Sequence, residues 1–233
     1  MGFYPFFDST YILVLIGVVL SLAASAKVKT TFAKYSRVKS ISGLTGATAA
    51  ERLLQASGIY DVQIERVSGK LSDHYDPRTK VLRLSDEVYS QNSLAAIGVA
   101  AHECGHAIQH ENSYIPLKLR GALVPVANIG SMAAWPLIII GLFLGGSQLL
   151  IDIGIILFSA AVLFQIVTLP VEFNASSRAI ARLGETGILS GEELKQSKKV
   201  LDAAALTYVA AAAATILQLL RLILLFGGGR NRD

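Results

Sequence analysis

At 233 residues, 52% hydrophobic and only 16% charged, with a mean hydropathy of +0.51, the chain is too apolar for an ordinary soluble domain and is expected to lie in a bilayer. Its formal net charge is +4, and its single cysteine, Cys104, excludes an intrachain disulfide and fits a reducing compartment.

A helix needs about 20 apolar residues to span the hydrocarbon core, and four stretches qualify. The first is STYILVLIGVVLSLAASA, Ser9 to Ala26. The small residues Ala24 to Ala26 resemble a signal-peptidase site, but no Lys or Arg precedes the run and Lys27, Lys29, Lys34, Arg37 and Lys39 follow it. It therefore reads as a retained span. A charge-free stretch from Ala122 to Ile151 and a second from Ile153 to Val171, separated by Asp152, read as a hairpin of spans turning at LGGSQ, Leu144 to Gln148. The fourth span is Ala203 to Phe226.

Between the first two spans the pattern changes. GATAAERLLQASG, Gly46 to Gly58, predicts a short helix stopped by Gly58. Val62 to Ser68 and Lys80 to Ser85 alternate like half-buried strands. DHYDPRT, Asp73 to Thr79, has the chemistry of a turn, and His74 and Tyr75 are read as part of it. A helix then begins at Asn92 or Ser93 and carries LAAIGVAAHECGHAIQH. The nine residues Ser93 to Ala101 are too few to cross a membrane.

Positive charge fixes the expected orientation, because cytoplasmic flanks collect Lys and Arg. Of 21 such residues, 13 lie between Lys27 and Arg120 and 5 between Glu172 and Asp202. Both blocks are expected in the cytoplasm, with Gly146 and the C-terminus outside. The charge thus follows topology and is no signature of nucleic-acid binding.

His102 and His106 are one helical turn apart and can point both imidazoles at one ion. Glu103 lies on an adjacent face, placed to take a proton from a water that zinc activates and to pass it to the leaving amine. Surface histidines are the plain alternative, but all four histidines fall between His74 and His110. A third ligand is required. His110 is about 12 Å from His102 along a straight helix, too far to share the ion, which leaves it a solvent-facing or supporting role. Among downstream acids Glu172, where the third span meets the cytoplasm, is the best placed. Glu185, Glu192 and Glu193 compete, although Glu193 fits a capping box with Ser190 and Glu185 lies in a Gly-Glu-Thr turn. Cys104 reads as a small buried hydrophobe, and Arg221 as snorkelling to the outer interface.

LSDHYDPRTKVLRLS, HECGHAIQH and VEFNASSRA, arranged around two spans, resemble the YugP-like membrane-bound neutral zinc metallopeptidases of bacteria over essentially the whole chain. VEFNA is more distantly similar to the ExxA(D) motif of the HtpX- and CAAX-type membrane zinc proteases. That resemblance implies Glu172 as third ligand and Ala175 as a packing alanine, with Ser176 where those relatives usually have aspartate.

The expected fold is an α-dominated polytopic membrane protein with about four transmembrane helices and a small cytoplasmic α+β zincin-like region. The expected divisions are an N-terminal span in 1–26, a cytoplasmic α+β region in 27–120, a helical hairpin in 121–171, a cytoplasmic segment bearing the third ligand in 172–202, a last span in 203–226 and a tail in 227–233. The expected function is a zinc metalloendopeptidase of the cell membrane, active site facing the cytoplasm, acting on membrane-proximal or misfolded membrane-protein segments. His102, His106 and Glu172 hold Zn²⁺ in this reading and Glu103 is the catalytic base. Its partners are the bilayer, a peptide or membrane-protein substrate, and an accessory membrane protein or second copy of the chain, with no nucleic acid. The alternative is a non-catalytic membrane scaffold with a structural zinc, although such sites usually have four protein ligands.

Overall fold

The structure, a computed structural model, describes residues 8–69 and 71–227. Its elements are α1 (Tyr11–Tyr35), α2 (Gly46–Ala56), β1 (Gln63–Val67), β2 (His74–Asp76), β3 (Val81–Ser85), α3 (Asp86–Tyr89), α4 (Leu94–Glu111), α5 (Ile115–Phe143), α6 (Gln148–Glu185) and α7 (Gly191–Phe226). Four of them, α1, α5, α6 and α7, are long and apolar enough to cross a membrane, and the protein is an α-dominated, multi-pass membrane protein with a small α+β region. The tail expected over 227–233 lies outside the described residues beyond Gly227.

Each long helix runs past its apolar stretch. The helix of the first span continues through the basic residues to Tyr35, and that of the third continues to Glu185, because nothing in Lys27–Tyr35 or Glu172–Arg182 breaks a helix. Pro125, Pro136 and Pro170 lie inside helices, a placement more readily tolerated in membrane helices than in soluble ones. The expected turn at Leu144 to Gln148 forms between α5 and α6, with Gly145 and Gly146 at φ of 75° and 83°, a conformation open to glycine at little cost.

The chain divides into two compact units. One contains the described residues up to Ala24, Lys118–Leu169 and those from Thr207. Its helices approach through small residues, as membrane helices do where there is no hydrophobic drive between them. A Cβ on Gly130 would stand 2.5 Å from the Leu157 carbonyl oxygen, and one on Gly154 would stand 2.9 Å from that of Ala134. Arg221 is buried here, 3.7 Å from the Asp8 carboxylate and stacked over the Tyr11 ring. That replaces the snorkelling expected for it, since an acid just ahead of α1 supplies the counter-charge.

The second unit comprises Ser25–Leu117 and Pro170–Leu206. Its sheet has the order β1-β3-β2, with β3 parallel to β1 and antiparallel to β2. Strand β2 lies within the segment expected to be a turn. Three residues are too few to show a period-2 pattern, so the sequence offered only the Asp-Pro turn that follows. Helix α2 starts from a reciprocal Thr45–Thr48 cap and gives way at Gly58, φ 74°. Helix α4 starts from Ser93, whose hydroxyl accepts from the Ala96 N–H at 3.2 Å. The capping role expected for Glu193 is not seen, because its carboxylate accepts from the Ile41 N–H at 2.8 Å instead.

The core of this unit joins Leu53 of α2, Leu82 and Leu84 of β3, Leu94 and Ile97 of α4, Leu183 of α6 and Leu189, all fully buried. Each such side chain contributes about 1.5–3 kcal/mol through burial. Cys104 belongs to this core, 1% exposed, with its thiol on the Ala50 carbonyl and its pKa pushed up by burial. It is the inert small hydrophobe expected from the sequence.

Candidate metal centre

Helix α4 brings His102 and His106 to one face, and α6 brings Glu172 against them. The approach depends on Gly105, because a Cβ there would stand 2.4 Å from the Ala175 carbonyl oxygen and 3.0 Å from its Cα. Ala175 is itself fully buried, so a glycine on one helix and an alanine on the other let the backbones nearly touch. Gly105→Ala is expected to cost about 1–3 kcal/mol through overpacking that no side-chain rotation relieves. By moving α4 off α6 it should also lower zinc affinity. Thermal unfolding and zinc titration of the purified variant measure both effects.

Nε2 of His102 lies 3.2 Å from Glu172 Oε2, and Nε2 of His106 lies 3.6 Å from the same oxygen. One ligand atom from each of the three residues falls within 4.8 Å of the others. Ligands about 2.0–2.1 Å from a tetrahedral zinc stand roughly 3.3 Å from one another, so the spacing fits that ion. Two imidazoles and a carboxylate are also the donor types that zinc accepts. Charge agrees: burial pushes the His106 imidazole down, yet the Glu172 hydrogen bond and the charges of Glu103 and Glu172 outweigh it and raise the pKa overall. The pocket attracts a cation.

The far side of each imidazole is also engaged. His106 Nδ1 is 3.0 Å from Gln109 Oε1. The Gln109 amide nitrogen donates to the Val171 carbonyl at 2.8 Å and to Asn174 Oδ1 at 3.0 Å, which turns its oxygen toward the histidine. An amide oxygen only accepts, so the His106 Nδ1 carries hydrogen and Nε2 is left for a metal. Gln109 is wholly buried, and Asn174 is held in turn by Arg178 Nε at 2.8 Å. His102 Nδ1 meets Ser176 Oγ at 3.1 Å. Ser176, one turn beyond Glu172, thus occupies the position from which a side chain orients the first histidine, as a neutral hydroxyl where a carboxylate is usual in the more distant relatives.

Glu103 is 8% exposed, and its Oε2 accepts from the Tyr75 main-chain N–H at 3.0 Å. His110 is outside the ligand group; its Nδ1 bonds the Tyr75 hydroxyl at 2.9 Å. Glu185 pairs with Arg182 at 3.0 Å, Glu192 lies 3.9 Å from Lys195, and Glu193 binds the Ile41 N–H. Of the competing acids, Glu172 alone joins the histidines. Sequence reasoning missed Gln109 and Asn174, for which the available signal was an amide three residues past His106 and another two past Glu172.

The family described as "Putative neutral zinc metallopeptidase" matches residues 10–227. A relative from Bacillus subtilis (strain 168), named "Putative membrane protease YugP", is 52% identical over 214 residues, covering 92% of this chain and 95% of its own. No solved structure matches. A match over nearly the whole chain, on a group of His102, His106 and Glu172 spaced for a metal, means that this protein belongs to the neutral zinc metallopeptidase family, and zinc is its metal.

Proposed function

We propose that the protein is a membrane-embedded zinc endopeptidase in which His102, His106 and Glu172 hold the metal and Glu103 is the general base. The observation that carries this reading is the pairing of a three-donor group, which leaves a fourth position open, with a buried carboxylate adjoining the first donor. A structural zinc site would call for a fourth protein ligand, and no further His, Cys, Asp or Glu joins the group among the described residues.

Zinc, when bound, supplies Lewis acidity that brings the pKa of a water molecule toward neutrality and polarises the scissile carbonyl. The chain's own residues do the rest. With Oε2 held by the Tyr75 N–H, the other oxygen of Glu103 accepts a proton from the attacking water as its oxygen bonds to the carbonyl carbon. Glu103 then returns that proton to the departing amine nitrogen as the C–N bond breaks. Gln109 and Ser176 keep both imidazoles turned toward the metal.

The substrates are membrane-proximal or misfolded membrane-protein segments, the polypeptide that an enzyme fixed in the bilayer meets first, and the role is quality control. The site faces the cytoplasm. Supporting this, 13 of the 21 Lys and Arg residues lie between Lys27 and Arg120, the segment that contains the histidines. An accessory membrane protein or a second copy of the chain is the companion we assign. Inverted and right-side-out membrane vesicles given fluorescein-labelled casein test the activity and its side together. Inverted vesicles carrying the chain should release fluorescent peptides, lose the activity to a chelator and regain it with zinc, while right-side-out vesicles stay silent. Chelator-insensitive cleavage, no cleavage beyond that of vesicles lacking the chain, or cleavage by right-side-out vesicles alone contradicts the proposal.

A further inference from the structure

Glu103 and His110 are seven residues apart on α4, two turns along one face and about 10.5 Å along the axis. Both bond to the same residue of β2. The Tyr75 main-chain N–H donates to Glu103 Oε2 at 3.0 Å, and the Tyr75 hydroxyl meets His110 Nδ1 at 2.9 Å, with the two rings 5.9 Å apart. One tyrosine therefore spans the distance between them, with its backbone on the catalytic turn and its hydroxyl two turns further on.

Strand β2 needs such an anchor. It has three residues, lies at the edge of the sheet and pairs only with β3. Its N-terminal side is fixed by Asp73, whose carboxylate accepts from the Ser85 N–H at 2.7 Å and its hydroxyl at 3.0 Å. Those contacts set β2 against β3. The Tyr75–His110 hydrogen bond sets it against α4, along the direction that decides where the Tyr75 N–H points. Burial, with the charges of Asp61, Glu111 and Asp76, pushes the Tyr75 phenol up to about 12, so it stays protonated throughout the neutral range.

We propose that Tyr75 is the positioning residue for Glu103, and that His110, which holds no metal, keeps Tyr75 in register. This rests on the reading of Glu103 as general base. A carboxylate with one oxygen held by a fixed amide has a single orientation from which its other oxygen meets the water proton. Without the anchor the strand shifts, the amide leaves Oε2 and the carboxylate samples unproductive rotamers. Neither Tyr75 nor His110 belongs to the metal group, so the loss is expected in the chemical step and not in zinc binding.

The test uses the full-length, zinc-loaded protein in nanodiscs with fluorescein-labelled casein. Tyr75→Phe and His110→Ala should each lower kcat about 10-fold, the order of one lost positioning contact, with KM and zinc content at wild-type values. The double variant should lose no more than either single one, because both remove the same bond. His110→Asn, which puts a polar atom where Nδ1 stands, should recover most of the loss. As a readout independent of turnover, amide exchange in residues 73–76 should accelerate in His110→Ala. Wild-type kcat in both single variants while Glu103→Gln is inactive overturns the positioning role and leaves the protease reading standing. Loss of zinc from either variant, or fully additive losses in the double, also overturns it. If Glu103→Gln cleaves as fast as wild type, the underlying reading of Glu103 is what fails.

Discussion

Replacing Glu103 by Gln should lower turnover at least 10²- to 10⁴-fold, the range credited to general acid–base catalysis, while zinc content stays at the wild-type value. The structure shows why the two effects separate. Glu103 is absent from the group of His102, His106 and Glu172 that could hold the metal, so the exchange removes no ligand. A glutamine of the same shape can still accept from the Tyr75 N–H through its one carbonyl oxygen, as Oε2 does now at 3.0 Å. Its remaining group is then an NH₂, which has no lone pair available for a water proton. Single-turnover measurements on casein, read beside zinc analysis, check the prediction. Activity within a few-fold of wild type removes Glu103 from the chemistry.

The second large effect lies in metal retention, and here the variants should form a graded series. Removing a ligand, as in His106→Ala, should abolish tight binding and activity together. Removing the group that orients that ligand should cost less. Gln109→Ala deletes the acceptor 3.0 Å from His106 Nδ1 and should weaken zinc roughly 10- to 100-fold, the usual cost of losing an outer-shell partner, with activity restored at high zinc. Glu172→Gln belongs with the first kind, since it replaces an anionic oxygen shared by both imidazoles, 3.2 Å from one and 3.6 Å from the other, with a weak neutral donor. Competition against a chromogenic chelator measures all three. A Gln109→Ala affinity equal to wild type would show that Asn174 and the α6 backbone make contacts around a bystander.

How much of this was legible in the sequence depends on the range over which each signal acts. Bilayer-spanning stretches, the glycine turn at Gly145 and Gly146, the Ser93 cap and the two histidines four apart are local patterns, and each was legible. The exact helix ends were not, because hydropathy marks only the hydrocarbon-soluble part. Nothing in the residues after Ala26 or Val171 stops a helix, so α1 and α6 run on to Tyr35 and Glu185. Strand β2 was hidden by its length. Its contacts with Glu103 and His110 join residues 28 and 35 positions apart in sequence, a distance at which no periodicity reports. Glu172 was legible as the best-placed acid because it sits where the third span ends, and the resemblance agreed, but its contact with the histidines depends on the close approach of α4 and α6 at Gly105 and Ala175, which no local pattern reports. Ser176 shows the opposite case, a residue that stands out only against the more distant HtpX- and CAAX-type proteases, and whose contact with His102 exists only in the folded chain.

A single zinc site built from two histidines of α4 and one glutamate of α6 fixes the metal stoichiometry that elemental analysis of the purified protein reads. Wild type and Glu103→Gln should each carry about one zinc per chain, as a three-ligand catalytic site requires, while His102→Ala and Glu172→Ala purified in parallel should carry almost none. Full zinc in His102→Ala would mean that these three residues do not hold the metal.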